Sequence, residues 1–321
     1  MKLGIITKID SLDKILPGDK MNYMKFIADY FRQKNDLVLI NWRDIDSDLN
    51  VSKHLKCTRE GTSLTKETSS LNELCNVLFI KNLGKIHFEK QAFLDFLSSL
   101  DNFNGKIINP LQTIKNNLSK QYLLDFQKKG FPIIPTLEVK NSLTLKDLKK
   151  IDFSNEHYNQ KPKDIVVKPK VFGEQGFAVK EISSFNNEQE FEEYKNKHSP
   201  LLAQPKIEEI FEKGENSFIF LGEEFVHSVN KFTGEFKINC IEGIKCTVHE
   251  PTNEELRTCK KIIENWPDPI GYTRIDMIPF GNKFLISEIE TVNPAFYIEN
   301  VLSLKDNFVK ELEKFLLKMN N

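Results

Sequence analysis

Residues 272–294 read YTRIDMIPFGNKFLISEIETVNP, and how they fold decides what the chain can do. Tyr272 to Ile278 and Lys283 to Ile289 are strand-like runs, and Phe280-Gly281-Asn282 between them is a turn, so the stretch is predicted to form a hairpin. Side chains alternate along a strand, which puts Arg274 and Asp276 on one face and Glu288 with Glu290 on one face. Pairing the arms brings Asp276, Glu288 and Glu290 onto one surface beside Arg274. Carboxylates crowded in this way repel, and apolar neighbours make the conflict worse. A divalent cation removes it, and oxygen-only ligands suit magnesium, which leaves room for water and phosphate oxygens. A solvated acidic hairpin is the alternative reading of the same residues.

A chain of 321 residues can build two or three packed units. Lys plus Arg (45) balance Asp plus Glu (46), so no overall field draws it to nucleic acid or to an acidic membrane. The opening MKLGIITKID has too short an apolar run for a signal peptide, and no stretch reaches transmembrane length. Cys57, Cys75, Cys240, Cys246 and Cys259 form no CxxC pair and have no histidine spacing for zinc; they read as reduced packing thiols of a cytoplasmic protein.

Upstream, KLGIIT at residues 2–7, a helical pattern from Asn22 to Lys34 and DLVLINW at 36–42 make a strand–helix–strand unit. Residues 43–72 are polar and give no clear pattern. Strands at 76–80 and 106–110, with a helix from Phe88 to Leu100 between them, complete an α/β domain near residue 110. Thr7, Lys8 and Asp10 follow its first strand, where they contact an acceptor substrate or merely solvate the loop. A helix from Leu111 to Lys129 carries Lys120, ordinarily a solvated charge. The strand DIVVKPK (164–170) is different, because Lys168 ends an apolar run and a lysine there is costly unless it meets an anion. VFGEQGFAV (171–179) is a two-glycine loop, either a phosphate cradle or a plain turn. LLAQPKI (201–207) is another apolar strand, followed by Gly214-Glu215 and strands through Phe232. Lys237 and Asn239 fall in a further extended segment. Thr252 and Glu255 form a capping box for a helix to Asn265, and Asp306–Met319 is a terminal amphipathic helix. His227, on an alternating strand, reads as structural.

The order of these features resembles the ATP-grasp superfamily, particularly its glutathione synthetase-like and D-alanine–D-alanine ligase-like branch. The resemblance rests on NNLSKQYLL (116–124), PIIPT (132–136), VVKP, the glycine loop, QPKI, Gly-Glu and the Arg-x-Asp … Glu-x-Glu hairpin, and spans residues 109–300. It implies an α/β (α+β) ATP-grasp fold: an N-terminal Rossmann-like α/β domain (1–110), a small lid-bearing central subdomain (111–200) and a C-terminal α+β subdomain with the metal site (201–321). It further implies that Lys120 and Lys168 approach the ATP phosphates and that Gly173, Glu174, Gln175 and Gly176 close over them as a lid. Gln204 and the backbone of Lys206 and Ile207 would read adenine, and Glu215 would accept from the ribose. Asp276, Glu288 and Glu290 would hold magnesium, with manganese as an alternative. Arg274 and Lys237, with Lys231, would stabilise the transferring phosphoryl and a carboxylate. Asn239 and Asn293 would face substrate. Family members often carry Glu-x-Asn where this chain has Glu288-Ile289-Glu290, so whether Glu290 or Asn293 touches metal stays open.

What the resemblance implies for activity is an ATP-dependent carboxylate–amine ligase. A carboxylate attacks the γ-phosphorus, giving an acylphosphate and ADP, and an amine then displaces phosphate. The expected substrates are small and amino-acid-like, with a peptide acceptor left open and neither nucleic acid nor membrane involved. Dimers are common in proteins resembling this one, which suggests a homodimer. An ATP-dependent small-molecule kinase and a non-catalytic nucleotide-binding protein are the competing readings.

Overall fold

Apolar runs such as LGII and VLFI need cover on both faces, and the N-terminal sheet provides it. The computed structural model describes residues 1–7, 23–34, 36–81, 83–173, 176–232 and 245–320. Lys8, Asp10, Glu174, Gln175, Lys237, Asn239 and Cys240 lie outside the described residues. Strands Asp36–Ile40, Lys2–Ile6, Val77–Ile80 and Lys106–Ile108 pair in that order, all parallel. Leu3, Ile5, Leu37 and Leu39 share one cluster with Ile27 and Phe31 of the helix Tyr23–Phe31. Ile6, Val38, Ile40, Leu78 and Ile80 share another with Phe93, Phe96 and Leu97 of the helix Lys90–Ser99. The polar stretch after residue 43 contains an antiparallel hairpin, His54–Thr58 with Gly61–Thr65, that widens this sheet beyond Asp36–Ile40.

The central unit is a four-stranded antiparallel sheet in the order Lys180–Glu181, Ile165–Pro169, Leu201–Pro205, Leu137–Val139. Phe191 and Tyr194 of the helix Glu188–His198 join Val167, Phe185 and Ala203 in its core. Asn187 caps that helix by accepting from the Glu190 amide at 2.9 Å.

The third sheet runs Lys245–Val248, Glu224–Phe232, Glu215–Leu221, Tyr272–Phe280, Lys283–Glu290, antiparallel throughout. One face, with Phe218, Phe220, Ile275, Met277, Ile286 and Ile289, packs with the helices Gln121–Lys128 and Asn253–Glu264. Thr252 and Glu255 form the expected capping box on the second of these. The other face is divided. Ile219, Leu221 and Tyr272 join the N-terminal cluster, together with Phe308, Val309, Leu312 and Leu316 of the terminal helix Lys305–Asn320. The remainder of that face carries charge.

The helix expected over 111–129 is two helices, Leu111–Asn117 and Gln121–Lys128. Between them Ser119 bridges Val171, and the Lys120 amide donates to the Lys170 carbonyl at 2.7 Å. Lys120 therefore stands at a helix start beside the loop after Pro169, not inside a helix.

Candidate active site

Arg274 pairs with Glu290 and Asp276 with Glu288 across the hairpin, and a bulge between Asp276 and Met277 shifts the register beyond them. All four side chains reach one face, as alternation requires. Arg274 is 8% exposed and holds the group together. Its Nε lies 3.0 Å from both Asp276 oxygens, and its terminal nitrogen lies 2.9 Å from Glu288 and 2.8 Å from Glu290. Asp276, nearly inaccessible, also accepts from Ser217 Oγ at 2.6 Å and from Lys231 Nζ at 3.2 Å. Lys231 sits 2.5 Å from Glu215, which takes a further hydrogen bond from Ser287. Lys120 is bonded to Glu288.

The charges set one another's affinities for protons. Burial works against ionising Glu288, but Lys120 and Arg274 outweigh it and hold its pKa below the ordinary value. Glu290 moves the other way: burial raises its pKa, and the charge of Glu288 adds to that against the pull of Arg274. Burial opposes the charge on Lys120, Lys231 and Arg274 as well. Glu288 overcomes it for the first and Asp276 for the other two, so all three stay protonated. Lys168 is the exception. It makes no hydrogen bond or ion pair with any described residue, and burial, reinforced by the nearby charge of Lys120, pushes its pKa down to about 7.

Among the described residues no group of three or more His, Cys, Asp or Glu side chains is already arranged around a vacant metal position. Arg274 stands between the carboxylates instead. The donor set nevertheless fits a hard divalent cation, being oxygen-only and strongly anionic once a cationic side chain withdraws.

Other expected residues fall around this network. Gly173 approaches Lys120 so closely that an added Cβ would lie 3.3 Å from its Cε and 2.8 Å from the Pro169 carbonyl oxygen. Gly176 adopts a φ of 68°, where glycine is favoured. Gln204 is buried and donates to Thr136 Oγ1 at 2.8 Å. The Lys206 amide donates to the Asp164 carbonyl, its ammonium pairs with Glu181 at 3.1 Å, and Ile207 packs into the central core. These three sit in or beside the central sheet, outside the Arg274 network. Asn293 follows the hairpin and accepts from Lys81 at 3.4 Å.

Lys81 was missed in the sequence. It ends the apolar strand VLFI, also bonds the Pro294 carbonyl and is 1% exposed; burial takes its pKa down to about 7. The reasoning that singled out Lys168 after IVV applies to it equally. Tyr297 was also missed, and nothing in the local pattern marks it. Its ring lies 5.4 Å from the Lys231 ammonium and 5.8 Å from the Arg274 guanidinium. His227 is buried, with Nε2 2.8 Å from the Phe296 carbonyl.

The sequence matches no family model and no curated protein. Solved structures do match along the whole chain. D-cycloserine synthetase DcsG superposes with a TM-score of 0.66 at 15% identity, over 97% of this chain and 99% of that one. D-alanine–D-alanine ligase from Bacillus anthracis gives 0.62 at 12% identity, over 100% and 97%. The ATP-grasp ligase PsnB, solved with a phosphomimetic variant of its minimal precursor, Mg and ADP, gives 0.62 at 10% identity, over 100% and 99%. The chain has the ATP-grasp fold. Within the ATP-grasp frame the acidic hairpin, Lys120 and Lys168 stand at the meeting of the central and C-terminal sheets. At such identities the likeness is one of architecture. No helix of the described residues is long and apolar enough to cross a membrane.

Proposed function

We propose that this protein is an ATP-dependent carboxylate–amine ligase, working through an acylphosphate and releasing ADP and phosphate, on small amino-acid-like substrates or a peptide. The observation that carries the reading is Lys168, which makes no hydrogen bond or ion pair with any described residue and stands beside Lys120 and Glu288. A half-buried lysine with no bonded partner among the described residues, next to a paired one, is suited to receive an anion with several oxygens. The fold supports the same reading, since the similar structures named above are a synthetase and ligases.

In this account the domains divide as 1–110, 111–200 and 201–321. Lys120 and Lys168 take the triphosphate oxygens, and Lys120 gives up Glu288 to do so. Asp276, Glu288 and either Glu290 or Asn293 would hold magnesium or manganese, which when bound shields and aligns phosphate oxygens. The loop 173–176 closes over the phosphates and keeps water from the acylphosphate. Gln204, Lys206 and Ile207 line the base, and Glu215 accepts from the ribose. Arg274, with Lys231 and Lys237, steadies the phosphoryl oxygens and then the oxyanion formed when the amine attacks. Asn239 and Asn293 meet substrate. No side chain of the protein needs to act as nucleophile.

The test is ADP release with magnesium-ATP against amino acids and short peptides, singly and in pairs, with mass spectrometry of the products. Lys168→Ala runs alongside as the control. ADP dependent on a carboxylate and an amine, with a product at their condensation mass, is expected. A stable phosphorylated product from one acceptor would replace the ligase with a kinase, and an absence of ATP binding would overturn the reading entirely.

A further inference from the structure

Lys283–Glu290 is the outermost strand of its sheet, so among the described residues one edge of its backbone has no strand beside it. That edge is satisfied all the same. Early in the strand the Ile286 amide donates to the Pro132 carbonyl at 2.7 Å, and its carbonyl accepts from the Ile134 amide at 3.0 Å. The bulge then moves the outward-facing groups from residue 286 to residues 289 and 291. There side chains replace a strand. The Ile289 amide donates to Tyr122 Oη at 3.3 Å, and the Ile289 carbonyl accepts from Asn117 Nδ2 at 2.9 Å. The Thr291 amide donates to Asn117 Oδ1 at 2.8 Å.

One carboxamide thus grips the backbone on both sides of Glu290, using its donor and its acceptor at once. Asn117 is itself buried and ends the helix Leu111–Asn117. Lys120, bonded to Glu288, comes from the same turn of chain.

We propose that Asn117 is a positioning residue, whose carboxamide fixes residues 289–291 and thereby where Glu288 and Glu290 stand relative to Arg274 and Lys120. The inference deepens the ligase reading and rests on it for the nucleotide measurement below. Bound this way, the two glutamates share a scaffold with the lysine that meets the phosphates. Removing the carboxamide lets the carboxylates drift without removing any charged group.

The test compares wild type with Asn117→Leu and Asn117→Asp at pH 6 and pH 8. An ionised aspartate turns an oxygen toward the Ile289 carbonyl, whereas a protonated one offers a donor and an acceptor as the carboxamide does. Lys120, Glu288 and Glu290, the neighbouring charges, are common to all three proteins, so the ratio to wild type at each pH isolates position 117. The magnesium concentration for half-maximal binding of a fluorescent ATP analogue should rise about tenfold in the leucine variant at both pH values. In the aspartate variant it should rise where the carboxyl is ionised and return toward wild type as the carboxyl is protonated. Hydrogen exchange at the Ile289 and Thr291 amides, which needs no nucleotide, should follow the same pattern. Wild-type midpoints and exchange in the leucine variant would overturn the proposal, as would a raised midpoint with wild-type exchange at both amides. If wild type binds no nucleotide, the ligase reading fails and the exchange data alone decide the role of Asn117. Should Asn117→Leu not fold, Asn117→Asp at the two pH values suffices.

Discussion

Binding of ATP should draw a proton onto Lys168. The free protein holds this lysine with a pKa near 7, down from an ordinary 10.5, because burial and Lys120 both disfavour its charge. A triphosphate at the same place favours the charge. At pH 8 the free lysine is therefore neutral about nine times in ten and must be protonated as the nucleotide binds. At pH 6 it is charged already. Nucleotide affinity should consequently be about tenfold weaker at pH 8 than at pH 6, or ~1.4 kcal/mol. Titration calorimetry with saturating magnesium, in buffers of differing ionisation heat, measures the proton directly. Nearly one proton per nucleotide is expected at pH 8 and almost none at pH 6, with the uptake lost in Lys168→Met. Affinity independent of pH, or uptake that persists in the variant, would refute the argument. The same depressed pKa means that the unfolded chain binds the proton more tightly between pH 7 and pH 10.5, so the cost to folding is complete below about 7 and disappears toward 10.5. Lys168→Met should accordingly raise the melting temperature of the nucleotide-free protein at pH 7 by about 2–4 °C, and a fall would count against the account.

Three further perturbations separate the parts of the site. Arg274→Gln removes the cation that, among the described residues, touches all three of Asp276, Glu288 and Glu290, and should cost about 3 kcal/mol in denaturant unfolding. Magnesium should restore part of that loss; if it restores none, the carboxylates are not a metal site. Gly173→Ala places a methyl group against the Pro169 carbonyl and the Lys120 side chain, and should weaken ATP binding about tenfold while lowering the melting temperature by a few degrees. Phe177, which follows the glycine loop, stacks on His87 of the N-terminal domain at 4.2 Å between ring centres and meets Phe88 edge-on. Phe177→Ala should raise futile ATP hydrolysis relative to product formation as the loop closes less completely, and an unchanged ratio would detach this contact from lid closure.

The alternation of RIDMI and SEIE was enough to place Arg274, Asp276, Glu288 and Glu290 together, because a period of two survives any uncertainty in where the strands end. The bulge was not legible. Neither Ser287 nor the residues opposite it carry a glycine or other local mark, and the shift is satisfied by Asn117 and Tyr122 from far upstream. The sequence pattern puts Lys120 inside a helix, since LQTIKNNLSKQYLLDF has continuous helical patterning; the break comes from pairing with residues 170–172. The edge hairpin at residues 54–65 escaped notice because an edge strand needs no long apolar run. Lys81 carries the same signal as Lys168, a lysine closing an apolar run. Its role depends on Asn293 and Pro294, which only the fold brings to it.

The terminal helix Lys305–Asn320 has a bearing on how the protein is made. Phe308, Val309, Leu312 and Leu316 belong to the same cluster as Leu3, Ile5, Ile27 and Phe31. As the chain leaves the ribosome, the first sheet emerges long before the helix that completes its cover. An apolar surface is thus left waiting through the synthesis of nearly the whole chain, at a stage when such surfaces recruit chaperones or associate wrongly. Nascent protein arrested before residue 305 should therefore remain bound to ribosome-associated chaperones, and release should coincide with the appearance of Phe308 and Leu312. The first turns of that helix would then serve as the signal that the first strands are ready to be let go.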